Sequence, residues 1–230
     1  MKNVVLVTGA NRGLGLGFVE HYLSKGWYVI GTCRSIKQAH ALEELKNHYS
    51  NDLQIESLEV TDESSISNFI CHIQHLKLDL VINNAGICIE EQLGKWTLAT
   101  FTKIFQVNTI GVALLSQVVW PLMQPKSKLI NVSSGLGSIS LNISPEANFD
   151  AYAMSKAALN MFTARLAAKL KSKDIWVVAM SPGWVKTRMG GAEALLTVSQ
   201  SIYKMAKLID GLNSEDSGKF YSEEGDRKPW

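Results

Sequence analysis

Four stretches of this sequence place glycine and polar residues where chemistry needs them. Thr8-Gly9-Ala10-Asn11-Arg12-Gly13-Leu14-Gly15 spaces its glycines G-x-x-x-G-x-G, directly after the apolar run Val4-Val5-Leu6-Val7 and ahead of helical spacing through Phe18, Tyr22 and Leu23. Glycine lets the backbone turn with positive φ and lets a pyrophosphate approach main-chain N–H groups at a helix N-terminus, where the dipole favours negative charge. The ligand implied is a dinucleotide. A turn that binds nothing has no need of three glycines at a helix start.

The second strand ends Thr32-Cys33-Arg34, with no carboxylate to hold the ribose 2′-hydroxyl of NAD. Arg34 and Arg12 offer planar guanidinium groups that suit a 2′-phosphate, so the cofactor expected is NADP(H). Two solvated surface arginines are the plain alternative.

Downstream stand Asn83-Asn84-Ala85-Gly86, Ser133-Ser134 and Tyr152-x-x-x-Lys156. The first two close apolar runs that read as strands, and strand C-termini are where open α/β sheets bind ligands. On a helix, residues four apart share a face, so Lys156 lies one turn from the Tyr152 phenol and would lower its pKa toward a working range for proton transfer. Tyr203 and Lys207 repeat the spacing. They lie beyond the last long strand and read as a surface helix, whereas Tyr152 precedes the strand that ends at Ser181-Pro182-Gly183.

The elements that must carry these residues alternate along the chain. Short apolar runs at 4–7, 28–30, 78–82, 129–132 and 175–179 have the continuous character of strands buried on both faces. Helices are expected near 37–49, 63–76, 97–123, 151–171 and 197–209, with a weaker strand near 53–60 and a last one near 219–222. The fold class is α/β, a Rossmann-type doubly wound parallel sheet of about seven strands with helices on both faces, in a single domain over residues 1–230. The irregular stretches near 88–96, 135–150 and 184–197 are the expected substrate loops.

Composition narrows the function. Of 230 residues, 46% are hydrophobic and 19% charged, an ordinary globular balance. A net charge of +2, dispersed along the chain, excludes the basic face that nucleic-acid binding needs. No uninterrupted apolar run approaches the roughly 20 residues of a membrane span, and the N-terminus is too short in apolar residues for a signal-peptide core. Cys33, Cys71 and Cys88 cannot all pair, which reads as reduced thiols in a cytoplasmic protein. His72 and His75 share a helix with Cys71 without a completing ligand cluster, so no metal is expected. Trp96, Leu141, Trp184 and Met189 serve equally as an apolar substrate wall or as loop packing, and Lys186 and Arg188 equally as phosphate contacts or solvated side chains.

In their order and spacing, the glycine turn, Asn83-Asn84-Ala85-Gly86, Asn108, Ser134, Tyr152-x-x-x-Lys156 and Pro182-Gly183 resemble the short-chain dehydrogenase/reductase family over essentially the whole chain. Met154–Asn160, Pro182–Thr187 and the stretch from Gly218 to Trp230 are similar to its C-factor and sniffer-like carbonyl reductase branch. The resemblance implies catalytic roles for Asn108, Ser134, Tyr152 and Lys156. Tyr152 would protonate the carbonyl oxygen, Ser134 would hydrogen-bond it, Lys156 would hold the nicotinamide ribose, and the Asn108 carbonyl would bind a relay water. The cofactor contacts implied are Gly9, Asn11, Arg12, Gly13, Leu14, Gly15, Arg34, Glu59, Val60, Asn84, Ala85, Gly86, Tyr152, Lys156, Pro182, Gly183, Val185 and Thr187. Glu59 stands where the family usually has an aspartate toward adenine, with Asp62 as the fallback.

The expected activity is NADPH-dependent reduction of a small or medium hydrophobic aldehyde, ketone or quinone. An NADP-linked alcohol dehydrogenase running oxidatively, or a dinucleotide-binding signalling protein of the C-factor type, are the other readings. A homodimer through exposed helices is expected.

Overall fold

In the computed structural model, which describes residues 2–230, the strands are β1 (Val4–Val7), β2 (Tyr28–Cys33), β3 (Leu53–Ser57), β4 (Leu78–Asn83), β5 (Met123–Val132), β6 (Trp176–Met180) and β7 (Phe220–Tyr221). They form one parallel sheet in the order β3-β2-β1-β4-β5-β6-β7. The chain runs outward from β1 to β3, then crosses back to lay β4 on the other side of β1. This is the switch point at which crossovers to opposite faces open a crevice at the strand C-termini.

Successive strand residues feed opposite cores, because side chains in a strand alternate between faces. Val5 and Val7 of β1, Leu80 and Ile82 of β4, and Val178 and Met180 of β6 pack with helices α1 (Gly13–Ser24), α2 (His40–His48) and α7 (Val198–Gly211). Leu6, Val81 and Val177 pack on the other face with α3 (Glu63–Ile73), α5 (Val112–Val119) and α6 (Asp150–Leu170). The continuous apolar character of the strands follows from this double burial.

Four elements differ from the sequence expectation, one of them the strand expected over 129–132, which as β5 starts at Met123. Residues 37–49 begin with a single 3₁₀ turn, Ile36–Gln38, before α2. Residues 58–60 leave the sheet, so β3 ends at Ser57. The helix expected over 97–123 is α4 (Leu98–Phe105), a π-helical turn at Gln106–Gly111, then α5 and a 3₁₀ turn at Trp120–Leu122. This rod, Leu98–Leu122, is long and apolar enough to cross a membrane by length and composition. Its neighbours here are α3 and α6, and it carries a fully buried Asn108.

Candidate active site

Four loops meet at the C-terminal edge of the sheet, and hydrogen bonds between them fix their spacing. The Thr8 hydroxyl, at the end of β1, accepts from the backbone N–H groups of Asn84 and Ala85 at 3.0 Å each, and Asn84 Nδ2 donates to the Thr8 carbonyl at 2.8 Å. The backbone N–H of Ser133 donates to Met180 at 2.7 Å and that of Gly135 to Ser181 Oγ at 3.1 Å, joining the ends of β5 and β6. Each loop thus holds its neighbour.

The glycine turn fits a diphosphate. Gly9 and Gly13 have φ of 64° and 54°, and a Cβ on Gly15 would stand 2.2 Å from the Gly9 carbonyl oxygen. Helix α1 starts after Arg12 with no side-chain cap and no acidic residue in its first turn. Its first N–H groups therefore remain free for an anion, with the helix dipole in support. Thr187, from the loop after β6, lies over the turn, its Cγ2 being 3.5 Å from a Cβ built on Gly13. Asn11 and Leu14 sit half-buried in the same turn, and Val185, which follows Pro182 and Gly183, is buried.

At the end of β2, Arg34 is exposed and its guanidinium lies 4.0 Å from Glu59 Oε2. An exposed pair at that distance contributes little, so the guanidinium is free to engage another anion. Arg12 is exposed as well. Asp62 is already used, its Oδ1 accepting from Ser64 N and Oγ as the N-cap of α3. Glu59 Oε1 accepts from the N–H and hydroxyl of Thr61, and Val60 beside it is buried.

Ser134, Tyr152 and Lys156 come together beneath this cradle. The hydroxyl of Ser133 is buried and donates to Asn160 Oδ1 at 2.6 Å, which fixes the strand end. Ser134 instead lies against the Tyr152 phenol. Gly137 makes the arrangement possible, because a Cβ there would stand 2.8 Å from the Lys156 backbone. Lys156 is 4% exposed, donates to the Val132 carbonyl at 2.8 Å and lies 5.6 Å from the Tyr152 ring centroid.

The electrostatics differ from the sequence expectation. Burial pushes the Tyr152 phenol well above its ordinary pKa, with the Cys88 sulfur adding to the rise and Ser134 opposing it. The same burial pushes Lys156 down to about 8. Desolvation disfavours either charged form, and it is the largest cause of the shift at both groups. The site thus holds a neutral phenol, which is an acid.

Asn108 sits inside the π turn and clamps the loop after β4 to helix α6. Its Oδ1 accepts from Ile87 N at 2.9 Å, and its Nδ2 donates to the Ile87 carbonyl at 2.9 Å and to Ser155 Oγ at 3.0 Å. Ser155 in turn donates to the Tyr152 carbonyl at 2.7 Å, and Thr109 Oγ1 donates to the Ser155 carbonyl at 2.9 Å. π turns are frequent at functional sites because the extra residue re-aims neighbouring groups.

Of the four loop residues considered for a substrate wall, two are committed to their own loops. Trp96 Nε1 donates to the Glu91 carbonyl at 3.1 Å and its ring meets Phe101 edge-on, while Trp184 Nε1 donates to Gly190 at 2.7 Å. Leu141 and Met189 remain exposed apolar groups. Lys186 and Arg188 are exposed, and His72 Nδ1 lies 2.8 Å from Glu56. Sequence reasoning missed three contributors. Thr8 and Ser155 fall within motifs that the sequence singles out, but their positioning role depends on their burial, which only the structure shows. The half-buried Cys88 sits close enough to Tyr152 and Lys156 to influence both, and burial pushes its own thiol up to about 11.

Comparison with known proteins gives the family and the fold. Residues 3–195 match the family described as short chain dehydrogenase. The structure superposes on an NADPH-bound carbonyl reductase from chicken fatty liver with a TM-score of 0.92 and 37% identity, covering 100% of both chains. It superposes on the carbonyl reductase Sniffer of D. melanogaster with a TM-score of 0.91 and 31% identity, again over 100% of both. The C-signal protein of Myxococcus xanthus is 35% identical over 156 residues, which is 66% of this chain and 93% of that one.

Proposed function

This chain belongs to the short chain dehydrogenase family, and on that premise we propose that it is an NADPH-dependent reductase of small or medium hydrophobic aldehydes, ketones or quinones, with Tyr152 as the proton donor. The observation that carries the reading is the convergence of Ser134, Tyr152 and the buried Lys156, whose Nζ lies 5.6 Å from the Tyr152 ring centroid, at the mouth of the glycine cradle. A phenol held protonated suits carbonyl reduction, where a proton must be given up as negative charge develops on oxygen.

The Gly9–Gly15 turn and the first turn of α1 would hold the diphosphate, Arg12 and Arg34 the 2′-phosphate, Glu59 the adenine side, and Thr187 and Lys156 the nicotinamide end. Bound there, NADPH supplies the hydride. Ser134 orients the substrate carbonyl by donating to its oxygen, which stabilises the charge that develops there. Tyr152 donates its hydroxyl proton to the same oxygen. The Lys156 ammonium stabilises the phenolate left behind, and Asn108 ties the Ile87 loop to Ser155 of α6, the helix that carries the pair. Among relatives, the NADPH-bound avian carbonyl reductase supports the choice of cofactor. Three unpaired cysteines support a reducing, cytoplasmic setting.

The test is NADPH oxidation followed at 340 nm against a panel of aldehydes, ketones and quinones. Substrate-dependent turnover with NADPH, and at least about tenfold lower kcat/KM with NADH, is expected because an arginine–phosphate contact contributes on the scale of a charge-assisted hydrogen bond. Equal use of both cofactors would remove the roles given to Arg12 and Arg34.

We also propose a homodimer. Leu98, Ile110, Met154 and Met161 are at least half exposed on α4, the π turn and α6, and a groove of about 350 Å³ lies between Phe101, Phe105 and Ile110. Light scattering at micromolar concentration is expected to give twice the chain mass, and Met161→Glu to give the monomer. A monomeric wild-type protein would refute this assembly.

A further inference from the structure

We propose that Lys228–Trp230 forms a strap that holds residues 138–144 in shape and thereby sets which carbonyl compounds reach Ser134 and Tyr152, an inference that rests on the reductase reading above. Residues 138–144 follow directly from Ser134 through the 3₁₀ turn Gly135–Gly137. Among the described residues, the hydrogen bonds that leave this segment for distant parts of the chain run to Pro229 and Trp230. Ser138 Oγ donates to the Pro229 carbonyl at 2.8 Å, and the backbone N–H and hydroxyl of Ser140 donate to the Trp230 oxygen at 3.0 and 2.9 Å.

The strap is itself fixed to the sheet. The Trp230 ring stacks on Phe220 of β7, with centroids 5.8 Å apart and planes 11° from parallel, and Phe220 is fully buried. The Lys228 N–H donates to the Phe220 carbonyl at 2.8 Å. A path of stacking and hydrogen bonds therefore runs from β7 through residues 228–230 to the loop beyond the catalytic serine.

The loop needs such an outside hold. Asn142 and Ser144 have φ of 41° and 47°, a left-handed conformation that side chains with a Cβ rarely adopt. Ser138 acts as the fulcrum, buried, donating to the strap while its oxygen accepts from Leu141 N at 3.2 Å. Beyond it the chain returns Ile143 to within 3.0 Å of a Cβ built on Gly135, next to Ser134. Ile143, 43% exposed, thus presents an apolar side chain next to the Ser134 end of the loop, and Leu141, also 43% exposed, lies two residues earlier on the same loop. A bulky hydrophobic carbonyl compound would meet them, and a small aldehyde would not.

The test compares Trp230→Ala with Trp230→Phe, which keeps a ring for Phe220. Trp230 lies at the surface, so both variants are expected to fold with little change in Tm. In Trp230→Ala, amide hydrogen exchange at Leu141 and Asn142 is expected to rise. KM for a bulky hydrophobic ketone is expected to rise about tenfold, with kcat, NADPH affinity and KM for a small aldehyde unchanged, and Trp230→Phe is expected to restore both readouts. Unchanged exchange in Trp230→Ala would overturn the strap. A uniform fall in kcat across all substrates, accompanied by a lower Tm, would overturn its role in selectivity and leave only a structural one. A wild-type protein that reduces no carbonyl compound would remove the reductase reading, while the exchange measurement would still decide whether the strap holds the loop.

Discussion

Tyr152→Phe is expected to lower kcat for NADPH-driven carbonyl reduction by about 10²–10⁴-fold, the contribution of a positioned general acid. The substitution removes one oxygen and keeps the ring. Lys156 Nζ, 5.6 Å from the ring centroid, keeps its aromatic neighbour and its bond to the Val132 carbonyl, so the cradle is not disturbed. NADPH affinity, read by nucleotide fluorescence, is therefore expected to change by less than about twofold, which separates lost chemistry from lost binding. The Ser134 hydroxyl remains as the only donor toward a carbonyl oxygen in this part of the proposed mechanism, and it accounts for the residual rate. A variant that kept more than a tenth of wild-type kcat would show that the proton comes from elsewhere, with Tyr152 serving only to pack Ser134 and Lys156.

How far the sequence revealed this site depends on the kind of contact involved. Local patterns were legible. Val5, Leu6 and Val7 announced a doubly buried strand, the glycines after it announced an anion cradle, and Tyr152 and Lys156 announced a shared helix face. Each depends on residues within a few positions of one another, and the fold adds only their direction. The π turn around Asn108 was not legible, because one extra residue in a helical turn leaves the apolar pattern of residues 98–122 almost unchanged. Nor was the start of β5. The apolar run begins only at Leu129, so residues 124–128, which carry Pro125, gave no strand pattern, yet β5 starts at Met123 and its pairing with β4 shifts register between Leu78 and Leu80.

Contacts made by backbone atoms across the chain leave no mark at all. Ser138 and Ser140 reach Pro229 and Trp230 across some ninety residues through main-chain oxygens, which any residue type would supply. The balance of charge at Tyr152 was misjudged for a related reason. Spacing reported that a lysine was near, whereas the extent of burial, which a one-dimensional pattern does not contain, decided the sign of the shift.

That balance gives the reduction a pH limb that belongs to Lys156. Its pKa is pushed down to about 8 by burial, so the ammonium is fully present only well below that pH and is lost as pH rises through it. The charged form is the one that stabilises the phenolate left when Tyr152 gives up its proton. Tyr152 itself stays protonated far beyond this range, since its pKa is raised. For the free enzyme, kcat/KM for reduction is therefore expected to be level below about pH 8 and to fall above it, with the limb set by the lysine and not by the acid. Lys156→Met is expected to lower the plateau by about 10²-fold, the scale of one lost electrostatic contact at a reacting oxygen, and to abolish the limb. Lys156→Arg, whose charge persists at every accessible pH, is expected to keep part of the rate and to stay level past pH 9. Profiles of kcat/KM from pH 6 to 10 for the three proteins decide the matter. A limb that survives in Lys156→Met would belong to another group, and the role of the ammonium in holding the phenolate would be lost with it.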